Sequence, residues 1–155
     1  MAAPFSGTTS SIIWSISKLQ VGNVTIPSAR SEVEIFLPTL LPGLQIIAEQ
    51  AWLDTGAPLS VIPFHVHNQR IAWKPVPGMQ VSWAGQPCDV GTVNLWLPTD
   101  QPPSPRGPFT ILAKFPHNNP PGKPVPVLLG LEFFLALQAG MSLLPPPQQS
   151  VIQLP

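Results

Sequence analysis

The chain has 155 residues, the size of one domain, with seven Lys plus Arg set against seven Asp plus Glu and only 9% charged residues. A balance this neutral offers no basic stripe to neutralise phosphates and no polybasic patch for a lipid surface, so nucleic acid and membrane are not expected partners. Twenty-three prolines break helices while 44% hydrophobic residues still demand burial, so the chain is expected to be mainly β, with short strands joined by proline-rich loops.

Cysteine usage and the N-terminus bear on compartment. The single Cys88 allows no intrachain disulfide and no multi-cysteine zinc site, and Met1 to Ser17 lacks the charge and apolar core of a secretory signal. A cytoplasmic, reducing location is the expectation.

In chain order, residues 1–11 are small and polar and are expected to be poorly ordered. Ile12 to Ile26 is β-rich, broken at Gly22-Asn23, a dipeptide suited to a tight turn. Ser31 to Leu37 alternates, with Val33, Ile35 and Leu37 on one face, and Leu44 to Leu53 reads as its return strand. Ala57 to Pro63 is a further apolar run, ended by Pro63. Val76 to Gly85 and Val90 to Leu97 form a hairpin through Ala84-Gly85-Gln86-Pro87, the second strand turning Val93, Leu95 and Leu97 inward. The proline-rich loop 98–108 leads to Phe109–Phe115, another alternating strand, and 117–126 is a second such loop. Val127 to Leu129, Gly130 and Leu131 to Gln138 read as a strand, a break and a short helix, and Val151 to Leu154 as one more strand. The stretch Val125 to Leu144 has the length of a membrane span, but prolines flank its start, glycines interrupt it and no basic cluster anchors its ends, so a buried strand and helix are preferred.

Asp54 stands out, an acid in an otherwise apolar or small stretch from Ala51 to Pro63. An isolated carboxylate there is costly to bury unless paired or protonated. Asp-Thr-Gly also suits an ordinary turn, and by average usage it occurs by chance in about 3% of chains this long. The stretch resembles the active-site strand and loop of retropepsins, the retroviral-type aspartic proteases. Val127-Leu128-Leu129-Gly130-Leu131-Glu132-Phe133-Phe134 is similar to that family's second hallmark, an apolar strand, a glycine and a short helix. The resemblance covers roughly residues 31–144. It implies a closed β-barrel of retropepsin type with one short C-terminal helix, preceded by an N-terminal extension (1–30, partly disordered or an added strand) and followed by a tail (145–155) as a possible dimer-interface strand.

The resemblance further implies a homodimer. One Asp-Thr-Gly supplies half an active site, so two copies of Asp54 would meet across a two-fold axis, share one proton and activate water against a polypeptide substrate, with no cofactor and no metal. Thr55 would hydrogen-bond across the axis, Gly56 would admit close backbone approach, Ala57 would complete the loop, and Leu128, Leu129 and Gly130 would pack behind it. Trp83, Ala84 and Gly85 would form the flap, with Trp83 either covering the cleft or, as indole burial statistics favour, lying in the core. The flap departs from the glycine-rich pattern and carries Pro87 where a backbone donor is lost. The part of the chain before Asp54 is longer than a minimal retropepsin needs. The alternative is the same fold serving as a catalytically silent dimerisation or peptide-binding module.

Other groups read more plainly. His65 and His67 would share a side if Val66 lay in a strand, and with Cys88 could offer three zinc ligands, but no spacing supports this and surface histidines are expected. Asp89 and Asp100 lack the Thr-Gly that follows Asp54, and Glu132 reads as a helix-surface acid or salt-bridge partner.

Overall fold

The computed structural model describes residues 9–100, 102–142 and 150–155. The part of residues 1–11 before Thr9 therefore lies outside the description. Two long strands open the chain: β1 (Thr9–Val21) and β2 (Val24–Pro38). They pair antiparallel from Ile13↔Glu32 to Val21↔Val24. The two-residue loop between them is Gly22-Asn23, and Gly22 takes φ 58°, the left-handed value a two-residue hairpin asks of glycine at its first position. β2 runs unbroken across residues 30 and 31, where the sequence suggests the boundary of an extension.

Six further strands and two helical segments follow up to α2: β3 (Ile46–Leu53), β4 (Ser60–Val61), α1 (Phe64–His67), β5 (Lys74–Trp83), β6 (Gln86–Leu97), β7 (Arg106–Pro116), β8 (Val127–Leu129) and α2 (Leu131–Leu137). β9 (Gly140–Ser142) and β10 (Ser150–Gln153) complete the chain. Sheet order runs β5-β6-β7-β4-β8-β3-β2-β1-β10-β9, and a further pairing of Phe36 with Trp96 joins β2 to β6. That contact closes β6, β7, β4, β8, β3 and β2 into a six-stranded barrel.

Alternation fills the barrel. Val33, Ile35 and Leu37 of β2, Val93, Leu95 and Leu97 of β6, and Ile111, Ala113 and Phe115 of β7 are all buried in one cluster with Val127 and Leu129 of β8. α2 closes one side, turning Phe133, Phe134 and Leu137 inward while Leu131 and Leu135 stay exposed. Seven residues cannot cross a bilayer, and among the described residues no helix is long and apolar enough to do so.

Three expectations change. The apolar run Ala57–Pro63 yields only the two-residue β4, because Pro58 and Pro63 each remove a ladder donor. The β5–β6 turn is Ala84-Gly85 alone, both at positive φ (49° and 74°), so Gln86 and Pro87 belong to β6. Residues 64–67 are a helical turn, not a strand, with Val66 and His67 amides donating to Pro63 O at 2.9 and 3.0 Å.

Of the tail, residues 145–149 lie outside the described residues, and 150–155 lie against their own chain. β10 pairs with β1 on one side (Thr9↔Gln153) and with β9 on the other (Val151↔Ser142). Ile152 and Leu154 are fully buried in the main core. Among the described residues β9, rather than β10, is the outer strand of this three-stranded part.

Candidate functional site

Asp54 follows the last residue of β3, beside a crossing of strands. β8 lies parallel to β3 (Trp52↔Leu128, Leu53↔Leu129) and antiparallel to β4 (Val61↔Leu128). The Asp54 amide continues the β3–β8 ladder by donating to Leu129 O at 2.8 Å. The loop then turns on itself. Ala57 N donates to Asp54 O at 3.1 Å, and Gly56 N donates to Asp54 Oδ1 at 3.2 Å, the side-chain turn that aspartate favours. Asp54, Thr55 and Gly56 are exposed in the single chain.

Gly130 and the start of α2 grip the same loop from behind. Leu131 N donates to Ala57 O at 2.7 Å and Glu132 N to Pro58 O at 3.1 Å. A Cβ on Gly130 would lie 2.7 Å from Ala57 O and from Leu59 C and O, all backbone atoms. Only glycine permits that approach. The Gly130 amide is satisfied by Ser60 Oγ at 3.0 Å, and Ser60 is fully buried. Positions 54 and 130, far apart in sequence, thus belong to one unit, with Leu129 buried and Leu128 half-buried behind the loop. Ser60 escaped the sequence reading; a lone hydroxyl between apolar Leu59 and Val61 was the available signal.

Trp52, two residues before Asp54, donates its indole N–H to Glu32 Oε1 at 3.1 Å across the β2–β3 register. The strand that delivers Asp54 is therefore tied to β2 by side chains as well as backbone.

The hairpin expected to act as a flap is β5 with the first half of β6. β5 stands outside the closed barrel and, among the described residues, pairs only with β6, with a register shift between Pro75 and Gln80. Trp83 is half-buried at the end of β5, and Ala84 and Gly85 are exposed. Lys114 of β7 reaches across to donate to Ser82 O at 3.2 Å. A surface cavity of about 400 Å³ lies beside Glu34, Glu49 and His65, and one of about 630 Å³ beside Leu40, Trp73 and Lys74, at the end of the hairpin away from its turn. Asp54 lines neither.

The histidine reading needs correction. His65 is exposed, but His67 is buried, its Nε2 2.8 Å from Pro116 O and its ring edge-on to Phe64, Trp73 and Phe115. The helical turn sends the two side chains apart, so they cannot converge as alternate residues of a strand would. Burial holds the His67 imidazole below its ordinary 6.5, opposed by the carbonyl of Pro116. Cys88 is buried, with Sγ 3.5 Å from Gln86 O, and burial raises its thiol above the usual range. Among the described residues no three His, Cys, Asp or Glu side chains gather where they could hold a metal ion. Asp89 is engaged by His117, Nε2 to Oδ2 at 3.1 Å.

Glu132 is not a surface acid. Its Oε1 accepts from Leu112 N at 3.1 Å, and its Oε2 is buried with no hydrogen-bond partner among the described residues. Burial pushes its carboxyl up from the ordinary 4.5, only partly offset by the Leu112 amide.

Comparison with protein-family models, with curated proteins and with solved structures finds no match.

Proposed function

We propose that the chain is one half of a homodimeric aspartic endopeptidase of retropepsin type. The observation that carries this reading is the clamp on the Asp54 loop. A loop bearing one exposed carboxylate is held by six hydrogen bonds, from the Asp54, Gly56, Ala57, Gly130, Leu131 and Glu132 amides, and by a glycine that admits no Cβ. Such stiffness is unnecessary for an ordinary turn and useful for presenting a reacting group at a defined place.

One carboxyl group cannot take a proton from water and donate one to the carbonyl in the same step. Two copies related by a two-fold axis can, because a point on the axis brings each residue against its own counterpart. Brought to about 3 Å, the two Asp54 carboxyl groups would share one proton, because two like charges at that distance repel. The ionised member takes a proton from water, which attacks the scissile carbonyl, and the protonated member donates to the carbonyl oxygen. An extended peptide would lie between the Asp54 loops and the β5–β6 hairpin, held largely through its backbone.

The deciding experiment measures solution mass and cleavage of a peptide library by the wild-type chain and Asp54→Asn. A dimer that cleaves, with a variant that still dimerises but does not, supports the assignment. Cleavage retained in Asp54→Asn removes it.

A second reading, a silent dimerisation or peptide-binding module, is favoured by the hairpin itself. It ends in a two-residue turn with one glycine, and Pro87 opposite Ser82 has no amide to offer. A dimer that binds extended peptides yet neither cleaves them nor takes up a statine-type transition-state mimic would support that reading.

A further inference from the structure

We propose that Glu132 is the positioning residue of the Asp54 loop, tying the first turn of α2 to β7 so that the two amides behind the loop meet the Ala57 and Pro58 carbonyls. The inference deepens the aspartic-site reading and rests on it for the kinetic consequence, though not for the geometry.

β4 is two residues long, and its pairing with β7 runs over Ser60↔Ala113 and Val61↔Lys114. The amide of Leu112 lies just beyond that ladder and is taken instead by Glu132 Oε1 at 3.1 Å. Glu132 thus bonds in two directions. Its side chain holds β7, while its own backbone N–H, next to that of Leu131, holds the Asp54 loop at Pro58 O. A helix of seven residues has little rigidity of its own, so its first turn is as well placed as its anchors.

The unpartnered Oε2 explains what else this acid does there. Bridging to a single backbone amide needs only one acceptor oxygen, and the second is buried without compensation. A neutral carboxyl group tolerates that site better than a carboxylate. Of the segments packed against α2, the 54–58 loop carries Asp54 itself, β4 carries no titratable group, and β7 carries Arg106 and Lys114, which reach Pro155 O and Ser82 O respectively. Glu132→Gln keeps the acceptor and removes the charge. Glu132→Met keeps the length and removes the acceptor. Glu132→Asp keeps the charge but shortens the reach.

The test compares these full-length variants by amide hydrogen exchange at positions 131 and 132, by the Asp54 carboxyl ¹³C signal, and by kcat and KM on a cleaved peptide. Glu132→Met is expected to speed exchange at both amides at least tenfold and to move the Asp54 signal. Its kcat should fall roughly tenfold or more with KM little changed, as for a misplaced reacting group, and Glu132→Gln should stay near wild type in all three. Unchanged exchange and an unmoved Asp54 signal in folded Glu132→Met would overturn the proposal. So would a Glu132→Gln chain as defective as the Met variant. Should Glu132→Met fail to fold, Glu132→Asp supplies the same comparison. A wild-type dimer that cleaves nothing would sink the peptidase reading alone, because exchange and the Asp54 signal still report whether Glu132 places the loop.

Discussion

Ser60 and Gly130 are 70 residues apart in the chain and joined by a buried hydrogen bond of 3.0 Å, with the Gly130 amide donating to the serine hydroxyl. The contact locks β4 to the start of α2, and the Asp54 loop is the chain between β3 and β4. Ser60→Ala would leave a buried N–H without a partner, at a cost of about 1–3 kcal/mol. Urea unfolding should show that loss, and Ser60→Thr should recover part of it by restoring the hydroxyl.

Gly56 and Gly130 should respond oppositely to alanine. A Cβ at Gly130 meets three backbone atoms at 2.7 Å, and backbone cannot swing aside, so Gly130→Ala is expected to lose about 1–3 kcal/mol. At Gly56 a Cβ would meet only Asp54 Oδ1 at 3.4 Å, an ordinary contact, and φ is outside the left-handed region. Within one chain nothing forbids alanine there. Gly56→Ala should therefore fold with wild-type stability or about 0.4–1 kcal/mol more. Under the proposed function it should nevertheless lose dimerisation or cleavage, since the space it fills belongs to a second copy or a substrate. Unimpaired activity in folded Gly56→Ala would count against that function.

Gly91 offers a control outside the loop, on β6. A Cβ there would approach the Trp73 ring at 2.5 Å and Lys74 O at 2.6 Å, and Trp73 is itself stacked on Phe115 at 3.9 Å. Gly91→Ala should destabilise the chain by about 1–3 kcal/mol through this overpacking. Near-ultraviolet circular dichroism should register the displaced indole.

Stability should depend on pH through His67 and Glu132 with opposite signs. His67 has a folded pKa below 6.5, so between that value and 6.5 the unfolded chain binds more protons. Its contribution is complete above 6.5 and is lost as pH falls through the folded value. Glu132 has a folded pKa above 4.5, so its contribution is complete below 4.5 and is lost as pH rises through the folded value. Thermal melts from pH 4 to 8 should show His67→Gln losing less stability than wild type on acidification. Glu132→Gln should gain on wild type as pH rises. Parallel melting profiles would contradict both assignments.

Ile152, fully buried in the main core, tests the role of the tail. Ile152→Ala should cost about 2–5 kcal/mol, the usual loss for a buried isoleucine. A cost near zero in chemical unfolding would mean that β10 does not pack on its own barrel.

Much of this architecture is written locally. Alternation in 31–37, 90–97 and 109–115 names the inward faces because a strand turns successive side chains to opposite sides, whatever the rest of the chain does. The Gly22-Asn23 turn, the proline-bounded loops and the strand, glycine and helix around Gly130 are legible for similar reasons. What sequence could not settle is where separated segments meet. His67 looks like any polar residue until α1 folds against Phe115, and Glu132 looks like a helix-surface acid until β4 stops short of Leu112. Burial is a property of neighbours, not of a residue. For Asp54 the same division holds: its tripeptide is visible in the letters, whereas the clamp from Leu129, Gly130 and α2 exists only because β8 is inserted between β3 and β4.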